Sequence, residues 1–129
     1  MKNWISLNKN DLFEQVIKKG RYAAEKKIVV YSLKNGLNVN RVGIAISSKM
    51  AKSTARNRFR RIIKEWLRIK HSSIKIGYDI VILARKTKNE KLKAREIFLK
   101  DYQDDLIKAF NRLKLIQNEK VNKSGKEND

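Results

Sequence analysis

Cysteine and proline are absent from the 129 residues, histidine occurs once, and there are only five glycines. Each scarcity removes a class of chemistry. Without cysteine there is no disulfide framework, no thiolate metal site and no cysteine nucleophile. The lone His71 excludes the usual multi-histidine zinc sites and leaves one candidate for a serine–histidine triad. No apolar run approaches the roughly 18 residues of a membrane span, and residues 1–7 lack the apolar core of a secretory signal. The expectation is a reduced, soluble, cytoplasmic protein. Its length suits one domain, over residues 1–116, followed by a polar, disordered tail at 117–129. Acid is scarce as well: 13 Asp and Glu stand against 32 Lys and Arg, a formal net charge of +19.

Such a charge on 15.1 kDa is self-repelling unless an anion neutralises it. Its distribution is uneven. Between Arg41 and Tyr78 there are eleven basic residues and one acid, Glu65, whereas residues 92–116 carry six bases and four acids. The kind of base changes too. Lysine outnumbers arginine 22 to 10, yet five of the ten arginines fall between Arg56 and Arg68, where there is a single lysine. Arginine offers a planar fork of donors and a stacking face, so this switch points to phosphate or base contacts rather than to solubility.

Hydrophobic periodicity places the elements. A first helix is expected over residues 12–19, capped by Asp11 and closed by Gly20 in the left-handed C′ position. Residues 28–33 read as a strand covered on both faces, Asn35-Gly36 as a turn, and residues 41–47 as the partner strand. Gly43 inside that strand marks a bulge or a close backbone approach. A long helix follows to Lys70, capped by Ser53 or Thr54, with Ala55, Phe59, Ile62, Ile63, Trp66 and Ile69 as its apolar stripe. Gly77 precedes a third strand, residues 78–84. A last long helix is expected over residues 92–116, with Ala94, Phe98, Tyr102, Leu106, Ala109 and Leu113 on one side. This order gives an α/β layer domain, a small sheet with helices packed on it.

At about 100° per residue, Asn57, Arg60, Arg61, Lys64 and Arg68 fall in an arc of roughly 100° opposite the apolar stripe, and Arg56 and Arg58 flank it. Docked on a sheet, this helix holds its cations in fixed geometry, and its N-terminal N–H groups also favour phosphate. An ordinary solvated surface helix would carry acidic partners at i+4, which Glu65 alone can supply. Nucleic-acid binding is therefore the favoured reading. A membrane-surface helix is disfavoured, because Phe59 and Trp66 are needed in the core of so small a domain. Phe13 and Tyr31 are candidate base-stacking residues, although core packing explains each alone. Asp104-Asp105 is an acid pair whose side chains point apart. His71 belongs at an exposed helix end, and Ser47-Ser48-Lys49 lacks the rest of a nucleophilic site. No phosphate-binding loop, dinucleotide-binding glycine pattern or metal-ligand cluster is visible, so a self-sufficient enzyme is not expected.

The run Arg41-Val42-Gly43-Ile44-Ala45-Ile46-Ser47-Ser48-Lys49-Met50-Ala51-Lys52-Ser53-Thr54-Ala55-Arg56-Asn57-Arg58-Phe59-Arg60-Arg61 resembles the signature of the bacterial ribonuclease P protein subunit. In that family a strand ends in Ser-Lys-Lys, and after a short loop Arg-Asn-Arg opens a basic helix. Asp11-Leu12-Phe13 with Val16 and Gly20, then Val29-Val30-Tyr31, then Tyr78-Asp79-Ile80-Val81-Ile82-Leu83-Ala84-Arg85, resemble further family elements in order and spacing. The likeness covers roughly residues 7–115. It implies a two-layer α-β sandwich of order αβββαβα. The sheet would have four strands, completed by a short one at residues 22–24, with a left-handed βαβ crossover around the Arg-Asn-Arg helix, against the usual hand. It also implies an accessory subunit without catalytic residues or a metal site of its own, serving a ribozyme whose Mg²⁺ is held mainly by the RNA. The implied partners are the ribonuclease P RNA and the 5′ leader of precursor tRNA, with no membrane and no small-molecule substrate. The implied RNA-binding residues are Lys49, Lys52, Arg56, Asn57, Arg58, Arg60, Arg61, Lys64 and Arg68, and the implied leader cleft contains Phe13, Ile17 and Tyr31. Three positions depart from the family pattern: Ser48 replaces a lysine, Ile17 an aromatic and Ala51 a glycine. The alternative function is a structural RNA-binding protein of ribosomal type with no catalytic partner. A DNA-binding regulator is disfavoured because a strand, not a second helix, follows the basic helix.

Overall fold

The most apolar strand takes the middle of the sheet. The computed structural model describes residues 4–7, 9–87 and 89–116. Five strands, β1 (Trp4–Ser6), β2 (Arg21–Ala24), β3 (Ile28–Lys34), β4 (Asn40–Ala45) and β5 (Tyr78–Ala84), form one sheet in the order β1-β4-β5-β3-β2. Ile80, Val81 and Ile82 of β5 have no exposed surface, because β5 is covered on both faces. Helix α1 (Asn10–Lys19) lies on one face over Val16, Val81 and Leu7. Helices α2 (Ser53–Lys70) and α3 (Gln103–Arg112) supply the larger core on the other, where Phe59 meets Tyr102 edge-on and Trp66 meets Phe110.

Several expectations are corrected by this arrangement. Strand β4 does not pair with β3. Both flank β5, β3 antiparallel and β4 parallel to it, with α2 carrying the chain from β4 to β5. The Asn35-Gly36 turn is present, with Gly36 at φ 71°, but burying the Ile-Val-Ile run of β5 on two faces outweighs hairpin adjacency. The sheet has five strands rather than four, since β1 adds parallel to β4 as an edge. The expected helix at residues 92–116 is shorter. Residues 94–96 and 99–101 are 3-10 turns, and α-helix begins only at Gln103. Asp11, Ser53 and Thr54 are not N-caps. Lys9 and Lys52 hold those positions without a side-chain hydrogen bond. Gly20 is extended at φ −78° rather than left-handed. It is glycine because a Cβ would lie 2.5 Å from the Val16 carbonyl oxygen and 2.6 Å from that of Ser32. In α2, Leu67 is buried and Ile69 is 54% exposed, the reverse of the expected stripe. The expected tail at 117–129 lies outside the described residues.

Two polar anchors hold the far end of the sheet. Asn40, fully buried, accepts from the Gly77 and Tyr78 N–H groups and donates to the Lys75 carbonyl, tying the start of β4 to the start of β5. Asp79, 4% exposed, receives both forks of Arg41 at 2.7 Å and a third bond from Asn35. That hydrogen bond from Arg41, above all, raises the Arg41 pKa above its ordinary value.

Candidate nucleic-acid interface

The cationic helix is α2, and its packing decides which cations are free. Ala55, Phe59, Ile63, Trp66 and Leu67 anchor it to the core, so its opposite side faces outward. Arg61 and Lys64 are exposed and make no hydrogen bond or ion pair with the described residues. Arg60 is half-buried and donates to the Asn57 amide oxygen at 3.1 Å, which presents Asn57 and Arg60 together. Arg68 is gripped by both oxygens of Glu65, a bond that holds the Glu65 carboxyl below the usual carboxylate range. Arg56 and Arg58 have structural duties. Arg56 donates to the Ala51 carbonyl at 2.9 Å. Arg58 donates to the Ile97 carbonyl, with its guanidinium 5.4 Å from the centre of the Phe98 ring. Lys49 and Lys52 are exposed in the loop before α2. The first turn of α2 contains no acid and no side-chain cap, so its N–H groups remain open to an anion.

The candidate cleft residues lie on the other face of the sheet. Phe13 and Ile17 on α1 and Tyr31 on β3 are all half-buried, packed with Leu12, Leu33 and Leu83 around Leu7, Val16 and Val81. None of the three is wholly core. Phe13 lies against Gly43, where a Cβ would stand 2.5 Å from its ring, so Gly43 is the close approach expected of it. The Phe13 side of this face opens into a cavity of about 300 Å³ at the β4 edge, beyond the end of β1, where Arg60 and Lys64 reach in from α2. The structure thus joins Phe13 to two of the α2 cations. Tyr31 and Ile17 do not line that cavity. Tyr31 pairs across the strands with Tyr22, ring centres 5.7 Å apart. Sequence reading passed over Tyr22, which is 64% exposed. Its signal was an aromatic in a short strand whose neighbours in the pleat are small.

Among the described residues no group of three His, Asp or Glu side chains is placed to hold a metal ion. His71 is exposed, its Nδ1 2.8 Å from the Arg68 carbonyl oxygen, and the Ser47 hydroxyl accepts the Lys49 N–H in an ordinary turn. What the surface offers is a row of cations carried on a core-anchored helix beside a half-buried aromatic, a geometry suited to a phosphate chain with accessible bases.

Comparison with known proteins identifies the family. A ribonuclease P protein component from Natranaerobius thermophilus is 34% identical over 117 residues, covering 91% of this chain and 96% of the relative. One from Clostridium botulinum is 37% identical over 109 residues, covering 84% and 90%. Among solved structures, the RNase P protein of Staphylococcus aureus superposes with a TM-score of 0.74 at 27% identity, covering 87% of this chain and 97% of that one. The Thermotoga maritima RNase P protein, solved with 1-(4-fluorophenyl)-2-thiourea, gives a TM-score of 0.67 at 31% identity, covering 81% and 94%. With the ribonuclease P profile matching residues 1–114 as well, the chain belongs to the ribonuclease P protein family.

Proposed function

We propose that this chain is the protein component of a cytoplasmic ribonuclease P ribonucleoprotein, binding its RNA and the 5′ leader of precursor tRNA to promote endonucleolytic 5′ maturation of tRNA. The observation that carries the reading is the placement of Arg60 and Lys64, on the outward face of α2, at the mouth of the cavity lined by Phe13. One polyanion gripped along α2 is thereby set next to a second strand lying on α1 and the sheet. Lys49, Lys52, Arg56, Asn57, Arg58, Arg61 and Arg68 extend the grip, and Ile17 and Tyr31 extend the leader surface. The protein's part is electrostatic and geometric. It offsets phosphate repulsion and holds substrate beside an RNA active site. Mg²⁺ supplies the hydrolytic chemistry on the RNA in this reading. The described side chains contain no cluster of three His, Asp or Glu that fits the ion.

The test is reconstitution of a bacterial ribonuclease P RNA with precursor tRNA at low Mg²⁺. Correct 5′ cleavage appears only when the protein is added. Arg60→Ala with Arg61→Ala abolishes that stimulation while the circular dichroism spectrum stays native. If about six leader phosphates are contacted, log K falls against log salt with a slope near −4, at about −0.7 per contact. Binding without any stimulation of cleavage would favour a structural RNA-binding protein instead, and a slope near zero would refute the electrostatic grip.

A further inference from the structure

We infer that Phe98 is a stacking platform for an unpaired base of the ribonuclease P RNA, flanking the cationic face of α2. This rests on the RNA-binding reading above and adds a contact on the segment between β5 and α3, which that reading leaves unused.

The backbone break before α3 creates the platform. Had the helix run on toward residue 92, Phe98 would have joined Tyr102 on the buried side. Instead the 3-10 turns rotate Ile97 into the core, fully buried, and leave Phe98 44% exposed. Two cations stand by the exposed ring, the Arg58 guanidinium 5.4 Å and the Lys100 ammonium 5.7 Å from its centre. Arg58 is fixed there by its bond to the Ile97 carbonyl, so the ring and the guanidinium form a preset pair. Exposed Lys91, Lys93 and Arg95 lie on the same segment. An aromatic face in a cationic field is complementary to a ligand that is itself aromatic and anionic, and an unpaired nucleotide has both properties.

The position selects which RNA. Around α2, Arg58 lies on the flank opposite Arg60 and Lys64, with Arg61 roughly 60° from Arg58 on the outward face. Arg60 and Lys64 open toward Phe13 and the proposed leader cleft. The Phe98 flank therefore continues the surface proposed for the ribonuclease P RNA and points away from the leader.

The experiment titrates the intact protein with ribonuclease P RNA, without precursor tRNA, at several salt concentrations. Phe98→Leu retains bulk and loses the π face, and Phe98→Trp retains the face. Phe98→Leu is expected to weaken binding about 5- to 150-fold, the range for one stacked base. Phe98→Trp is expected to bind at least as tightly as the parent, and both keep the parent's salt slope because no ionic contact is lost. Parent-like binding by Phe98→Leu, alongside weakened binding by Arg60→Ala with Arg61→Ala, overturns the platform and leaves the RNA-binding reading intact. Parent-like binding by all of these variants overturns the platform and the α2 grip together, and absence of binding by the parent itself means the RNA-binding reading has failed. Equal losses in Phe98→Leu and Phe98→Trp reduce Phe98 to a packing contact and also overturn the platform. Ultraviolet cross-linking of the unsubstituted protein guards against misfolded variants: an RNA adduct on Phe98 is expected by mass spectrometry, and its absence counts against the platform.

Discussion

Two glycines separate what backbone and side chain can yield. At Gly20 a Cβ would press on the carbonyl oxygens of Val16 and Ser32, both backbone atoms fixed by helix and strand. At Gly43 it would press hardest on the Phe13 ring, 2.5 Å away and part of a side chain that can turn, and more lightly on the Leu7 carbonyl oxygen at 3.0 Å. Overpacking of this kind costs about 1–3 kcal/mol. Gly20→Ala is expected at or above the top of that range and Gly43→Ala near the bottom, read from urea denaturation midpoints. Leader affinity should rank them the other way, because only Gly43→Ala displaces Phe13. A Gly43→Ala protein with parent leader affinity would show that Phe13 is not a leader contact. The sequence marked Gly43 correctly, since a strand interior keeps glycine mainly where another group crowds its backbone. It misled at Gly20, because a helix-ending glycine looks the same whether its backbone is left-handed or merely crowded.

Elements were legible where one physical pattern dominated. The strand at residues 78–84 and the helix ending at Lys70 coincide with β5 and α2, each an uninterrupted apolar run or stripe. Pairing was not legible, because an Asn-Gly turn reports local reversal and not the strand that later inserts between β3 and β4. The last helix was overextended because Ala94, Phe98 and Tyr102 are spaced four apart by coincidence, while Ile97 is the residue the core takes up. Truncating each side chain separates the two. Ile97→Ala should cost about 2–5 kcal/mol as a buried aliphatic truncation, and Phe98→Ala about 0.5 kcal/mol as a surface change, both read from urea unfolding. A continuous helix would reverse the order. Within α2, Glu65 restrains Arg68. Glu65→Gln should free that guanidinium for phosphate, tightening RNA binding and steepening the salt slope by up to about 0.7–0.9. An unchanged slope would mean that Arg68 touches no phosphate. Low pH should act in the same direction. Because Arg68 depresses the Glu65 pKa, the pair's contribution to stability is present above the unfolded-state carboxylate value and is lost as pH falls through the lowered one. The pair is exposed, so this effect on stability is small.

For the whole molecule, the +19 charge makes salt act with opposite signs on two equilibria. In the free protein, the cations of α2 and of the loop before it repel one another with little acid to offset them, since Glu65 is the only carboxylate on that helix. Added salt shortens the screening length from about 30 Å at 0.01 M to about 10 Å at 0.1 M, which relieves that repulsion and favours the compact state. In the proposed RNA complex the same cations would be neutralised by phosphate, and added salt would compete with the contact. Thermal unfolding of the free protein should therefore shift upward as NaCl rises from 10 to 200 mM (~20-fold), while RNA affinity falls by orders of magnitude over the same range. Bound RNA should raise the unfolding midpoint most at the lowest salt, where binding is tightest. If the midpoint of the free protein falls with salt instead, internal ion pairs such as Arg41–Asp79 and Arg112–Glu25 outweigh the repulsion. The cationic face would then be a neutral partner in stability rather than a surface kept under tension for an anion.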